Sequence, residues 1–204
     1  TSPFTDLSGV SSSTSGDVIF VRRGGTYSAK TLPAGQRLLG QGVTVDATQL
    51  GFTLASFSRS TAFGTAGANS VMGTLTLSNS VYVRGMSASV TGGSKGLVGS
   101  SVSSVDISGM GVTSVGGGTA VELLSTGGTV SLTSVAQTAG TNAIVITGNT
   151  GSFTVAGTSG GLRDASGGVI DGTTSDGILI TNGQNITLRS LTLQYGVAGL
   201  AAVL

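Results

Sequence analysis

"VDISGMGVTSVGGGTAVELLST", residues 105–126, is followed after three residues by "VSLTSVAQTAGTNAIVITGNTG", residues 130–151. Each stretch opens on alternating apolar and polar residues and crosses a segment of Gly, Ser and Thr. Each then returns to a second apolar run, at Val121–Leu124 and at Ile144–Ile146. Period-two alternation over so few residues writes a strand with one face inward, not a helix. Two consecutive lines of the same text signal a repeat.

The repeat extends in both directions. Residues 81–204 divide into five units whose first strands begin at Val81, Val105, Val130, Ser152 and Ile186, spaced 24, 25, 22 and 34 residues. A second apolar pair falls at Leu97, Val121, Ile144, Ile178 and Leu200, spaced 24, 23, 34 and 22. The two series agree except for an insertion in the fourth unit, between Gly157 and Ser175. A period near 23 carrying two or three short strands and no helix is the signature of a β-solenoid. Gly, Ser, Thr and Asn fill the corners, where tight or left-handed backbone is needed. Near the N-terminus, "GDVIFVRRGGTYSAKTLPAGQRLLGQG" (residues 16–42) holds two apolar runs too brief for helices, Val18–Val21 and Leu38–Leu39. Each is expected to pair with the coil above or below, about 4.8 Å away.

The expected fold is therefore all-β, a β-solenoid of about 7–8 coils over residues 18–204. Residues 1–17, with a Ser2–Pro3 turn and a short helical turn near Thr5–Ser13, read as a lid over the first strand edges. At the other end "YGVAGLAAVL" (residues 195–204) begins a coil without a polar cap. The expectation is that the natural chain continues, or that a second copy or another protein covers this end. Phe4, Leu7, Val197, Leu200, Val203 and Leu204 are the candidate assembly residues. Opening on Thr1 instead of Met suggests a processed or excised piece.

Composition narrows the function classes. Only 8% of residues are charged, against roughly 25% in ordinary soluble domains. The net charge of +1 supplies no field to draw nucleic acid. Residues 107–162 carry one charge, Glu122, so Ser and Thr hydroxyls must keep that region soluble. Without His or Cys, imidazole bases and ligands, disulfides and thiolate metal sites are all excluded. The 36 glycines follow no G-x-y period, so the chain is not collagen. No apolar run is long enough to span a membrane.

"SPFTDLSGVSSSTSGDVIFVRRGGTYSAKTLPAGQRLLGQG" resembles the opening coils of right-handed parallel β-helix proteins of the pectate-lyase-like superfamily. The matching residues are Pro3, Phe4, Leu7, Gly16, Asp17, Ile19, Val21, Gly25, Thr26 and Tyr27. "LPAGQRLLGQGV" (Leu32 to Val43) looks like the next coil in large secreted bacterial adhesins and autotransporter passengers. "LTLSNSVYVRGMSAS" (Leu75 to Ser89) and "ILITNGQNITLRSLTLQ" (Ile178 to Gln194) look like their strand–Asn-turn–strand units. The resemblance implies a right-handed parallel β-helix and a secreted or cell-surface location. It specifies activity poorly, because this fold hosts lyases, hydrolases, tailspikes, adhesins and passive stalks.

The densest polar cluster is Arg163, Asp164, Asp171, Asp176 and Arg189. Paired carboxylates about 5–9.5 Å apart can hydrolyse a glycosidic bond. In the β-helix polysaccharide lyases, carboxylates hold Ca²⁺ beside an arginine base. Asp164, Asp171 and Asp176 are thus the catalytic and calcium candidates. Against them, Asp171–Gly172 and Asp176–Gly177 are ordinary turn dipeptides, no carboxylate recurs at coil spacing, and no aromatic subsite is evident. Asp17 reads as a turn residue and Asp46 as a strand end. Asp106 and Glu122 read as outward residues, Glu122 with no named partner. Tyr27, Tyr82 and Tyr195 are expected to pack on walls or turns, and Phe52, Phe57 and Phe63 to fill the second and third coils. Thr129, Thr133, Thr147, Thr150 and Thr154 would suit ice only if T-x-T ranks aligned coil to coil, and no more than two do. Asn185-Ile-Thr187 matches a glycosylation sequon.

The function expected is structural or adhesive: a stalk, passenger or fibre-forming segment built by coil stacking, with itself or the rest of a longer chain as partner. The alternative is a glycan- or host-binding module. A polysaccharide lyase or hydrolase ranks last, and no cofactor is expected beyond a calcium ion on those aspartates.

Overall fold

The computed structural model describes residues 7, 16–21, 24–40, 42, 69–158, 164–194 and 198–203, the last for strand placement alone. No α-helix occurs among these residues, and the strands follow one another in triplets. The first triplet is β1 (Val18–Val21), β2 (Thr26–Tyr27) and β3 (Lys30–Thr31). The second is β4 (Arg37–Gly40), β5 (Ser70–Met72) and β6 (Leu75–Thr76). Then come β7 (Val81–Arg84), β8 (Met86–Thr91) and β9 (Leu97–Val102). Strand β10 (Val105–Gly117) is long enough to serve two places and is followed by β11 (Val121–Thr126). The same holds for β12 (Thr129–Gly140) and β13 (Ile144–Thr147). The last six are β14 (Ser152–Val155), β15 (Gly168–Thr173), β16 (Asp176–Thr181), β17 (Ile186–Leu188), β18 (Leu191–Gln194) and β19 (Ala198–Val203).

Each strand pairs in parallel with its counterpart one triplet on. One ladder runs β1-β4-β7-β10-β12-β14-β17, and a second joins β2, β5, β8, β10, β12, β15 and β18. Because β10 and β12 run through both, these two ladders merge into one 12-stranded sheet. The third ladder, β3-β6-β9-β11-β13-β16-β19, is a separate seven-stranded sheet. Parallel neighbours need a long crossover. Here each crossover is the rest of the triplet, so the same residues that separate two strands also pair elsewhere.

Alternation sets the core. Ile19, Leu38, Val83, Ile107, Val130, Phe153 and Ile186 follow one another in register along the first ladder. All are buried except Ile186, which is half-buried against the same core. Leu75, Leu97, Val121, Ile144 and Ile178 form the matching column of the third ladder and are buried too. Full burial of such a side chain is worth about 1.5–3 kcal/mol. Among the described residues the second ladder buries four polar side chains, Ser70, Ser114, Gln137 and Thr173. The largest, Gln137, donates from Nε2 to the Gly118 and Ala139 carbonyls at 2.6 and 3.2 Å.

The corners use left-handed backbone at stacked positions. Gly85 and Gly109 (both φ 62) separate the first and second ladders. Gly92, Gly116, Ala139 and Gly172 close the second ladder, with φ of 56, 77, 54 and 64. Ser101, Ser125, Gly148 and Asn182 close the third, with φ of 54, 50, 63 and 51.

The expected all-β, parallel organisation is present, and the second apolar series stacks as read: Leu97, Val121, Ile144, Ile178 and Leu200 are direct partners in order. The first series needs correction. Val81 pairs with Val105, but Val130 pairs with Ile107, and Phe153, not Ser152, lies opposite Val130. The stacked spacing from Val83 through Ile107, Val130 and Phe153 to Ile186 is 24, 23, 23 and 33. The fourth-unit insertion begins after Gly157, as read, since the Ala156 and Gly157 amides still donate to the Leu132 and Thr133 carbonyls, but it ends before Ser175. Its other edge is Gly167, whose carbonyl accepts from the Val135 amide, and β15 pairs with β12 from Ile170 opposite Gln137.

Candidate functional site

The three candidate aspartates occupy different places. Asp164 stands exposed in the insertion. Its Oδ1 accepts hydrogen bonds from the Ser166 hydroxyl at 2.7 Å and the Ser166 amide at 3.0 Å. Those two bonds, the hydroxyl's first, hold its carboxyl below the usual carboxylate range. A depressed carboxylate is a poor general base. The Ser166 hydroxyl also accepts from the Thr158 amide at 3.2 Å, so the trio closes the insertion on itself.

Asp171 and Asp176 are in strands, not in the turns expected of them. Asp171 follows Thr91, Val115 and Thr138 in an outward column of the second ladder, and only Gly172 beside it is left-handed. Asp176 opens a strand of the third ladder, where its carbonyl accepts from Asn142 Nδ2. Among the described residues no three acidic side chains converge on a point that could hold a metal ion. Arg163 and Asp46 lie outside the described residues, and Arg189 is exposed.

The best-organised polar cluster is one that sequence reading broke into separate residues. On the outward face of the first ladder Arg37, Tyr82 and Asp106 are consecutive partners, and Arg84 follows Tyr82 by two. The Arg84 guanidinium lies 4.1 Å from the Tyr82 ring centroid and Arg37 lies 5.7 Å from it. Arg84 Nη2 donates to Asp106 Oδ1 at 2.7 Å, and Nη1 donates to the Val83 and Asp106 carbonyls at 3.1 and 3.2 Å. A second pair, Lys95 Nζ to Glu122 Oε1 at 2.6 Å, supplies the partner Glu122 lacked. Both pairs link the third triplet to the fourth. Neither could be seen without the register, because the partners are 22 and 27 residues apart.

Ser108, Ser131, Thr154 and Thr187 form one outward hydroxyl column. Searching for T-x-T ranks alone hides it, since half of its members are serines. Tyr27 packs half-buried against the core. Asp17 follows Gly16 (φ 89) at the turn into β1, and its carbonyl accepts from the Arg37 amide. Of the assembly candidates, Leu7 is buried in the core cluster, and its carbonyl accepts from Lys30 Nζ. Leu200 and Val203 pair with Ile178 and Thr181. Phe4, Val197 and Leu204 lie outside the described residues, as do Tyr195, Phe52, Phe57 and Phe63. No helix among the described residues is long and apolar enough to cross a membrane. Comparison of the chain with protein families, curated proteins and solved structures finds no match.

Proposed function

We propose that the chain is a right-handed parallel β-helix of seven three-strand coils, of the pectate-lyase-like kind. Its role is structural or adhesive at the cell surface or in the secreted space. The observation that carries this reading is the stacking of three parallel ladders in register around one axial apolar core. Such a rod gains stiffness from its main-chain ladders and needs no catalytic chemistry. Its partner is the rest of a longer chain or a copy of itself, joined by further coil stacking. A rod of this kind resists proteolysis along its length. Electron microscopy of the native source material tests the proposal: elongated rods or fibres containing this chain are expected, and compact isotropic particles would overturn it.

A second reading, a glycan- or host-binding module, draws on the Arg37–Tyr82–Arg84 cluster and on Phe20, 47% exposed on the same outward face. Saturable binding to a glycan array, lost in Tyr82→Ala, would favour it. Polysaccharide cleavage ranks behind both, because the aspartates expected to carry it are dispersed. Release of unsaturated or reducing sugar, lost in Asp171→Ala, would restore it.

A further inference from the structure

The chain holds six asparagines, at 69, 79, 142, 149, 182 and 185. Four are tied down by their side chains. Asn69 Nδ2 donates to the Met86 carbonyl and Ser87 Oγ, and Asn79 Oδ1 accepts from the Ser103 amide. Asn142 Nδ2 donates to the Asp176 carbonyl, and Asn149 Nδ2 to the Gly151 carbonyl. Asn182 and Asn185 make no side-chain hydrogen bond among the described residues, and both are exposed at φ 51. Their C-terminal neighbours set them apart. Asn185 precedes the β-branched Ile186, and its carbonyl is held by the Phe153 amide. Asn182 precedes Gly183, between β16 and β17, and none of the turn hydrogen bonds uses the Gly183 N–H.

We infer that Asn182 is a site of spontaneous modification through Gly183. The Gly183 nitrogen attacks Asn182 Cγ, forming a C–N bond and a five-membered imide. The Cγ–Nδ2 bond breaks, and Nδ2 leaves as ammonia with the proton that Gly183 N releases through water. Water then opens the imide at either carbonyl, giving an aspartyl or an isoaspartyl link at position 182. Water is the only co-reactant. Glycine favours the step because it has no side chain to obstruct the backbone rotation that ring closure requires. The product adds one negative charge, taking the formal net charge from +1 to 0. The isoaspartyl form also lengthens the backbone just before β17, whose Ile186 and Leu188 are only partly buried on the core.

The test is peptide mapping of the full chain after incubation under native, mildly alkaline conditions, beside a sample kept in urea. The expected result is amide-to-acid conversion in the native sample, first and mainly at Asn182, with both aspartyl and isoaspartyl products. Asn182→Gly, which keeps the left-handed corner, should abolish it. Conversion only in urea, or earlier conversion at another asparagine, overturns the inference.

Discussion

Val130 lies directly opposite Phe153 in one inward column, 23 residues apart in the chain, and each is at most 2% exposed. An unpaired carboxylate there has no solvent and no partner. Val130→Asp should abolish the cooperative β signal in circular dichroism. Phe153→Ala should fold but lose about 3–5 kcal/mol in denaturant titration. Ile186→Asp, at a half-buried position, should cost less than Val130→Asp.

Two left-handed glycines should respond differently to the same change. A Cβ at Gly148 (φ 63) would meet nothing nearer than Ser125 Oγ at 3.5 Å, so Gly148→Ala adds backbone strain alone. That is worth about 1–2 kcal/mol. At Gly128 (φ 90) the Cβ would fall 2.2 Å from the Val105 carbonyl oxygen. Gly128→Ala should therefore lower the melting temperature by clearly more, because the Gly128 backbone must lift off that of Val105.

The two ion pairs are unequal. Lys95 is 45% exposed in its side chain, and its bond to Glu122 should return about 0.2–1 kcal/mol in a double-mutant cycle, shrinking with salt. Arg84 is 16% exposed and also meets two carbonyls and the Tyr82 ring. Arg84→Ala should cost more than Lys95→Ala, and Tyr82→Leu should recover part of the difference in a cycle.

Asp164 gives a pH dependence of known sign. Its folded pKa is depressed by the Ser166 bonds, so their contribution is present above the unfolded value, near pH 3.9. It is lost as pH falls through the lower, folded value. Hydrogen exchange at the Ser166 amide, corrected for intrinsic rate, should lose protection across that acid window. In Asp164→Asn the pH step should disappear.

How far the sequence reaches is clearest at the two apolar series. Leu97, Val121, Ile144, Ile178 and Leu200 stack as read because each begins a short apolar run beside small corner residues. The other series slipped at Val130, because Val105 and Ile107 are both inward. A shift of two residues keeps every side chain on its face, so alternation alone cannot choose between them. The bulge in the β10–β12 pairing near Ser108 and Met110 adds to that ambiguity. The same slip hid the Ser108–Thr187 hydroxyl column, which exists only once the strands are in register. The aspartates misled for another reason: Asp-Gly is a turn signal, yet Asp171 is held in a strand by Thr138 and Gln194 on either side. Asp176 is held by Ala198 on one side and by the Asn142 side-chain amide on its carbonyl.

The register of the stacked ladders is tested most directly by paired cysteines, since the chain has none of its own. Ser131 and Thr154 are outward partners on neighbouring strands. Strands about 4.8 Å apart fall within disulfide reach, whereas a two-residue offset lies beyond it. Ser131→Cys with Thr154→Cys, and Thr154→Cys with Thr187→Cys, should oxidise readily without loss of fold. Ser131→Cys with Ser152→Cys should stay reduced. Bridging of the offset pair, with none in the registered pairs, would contradict the stacked arrangement.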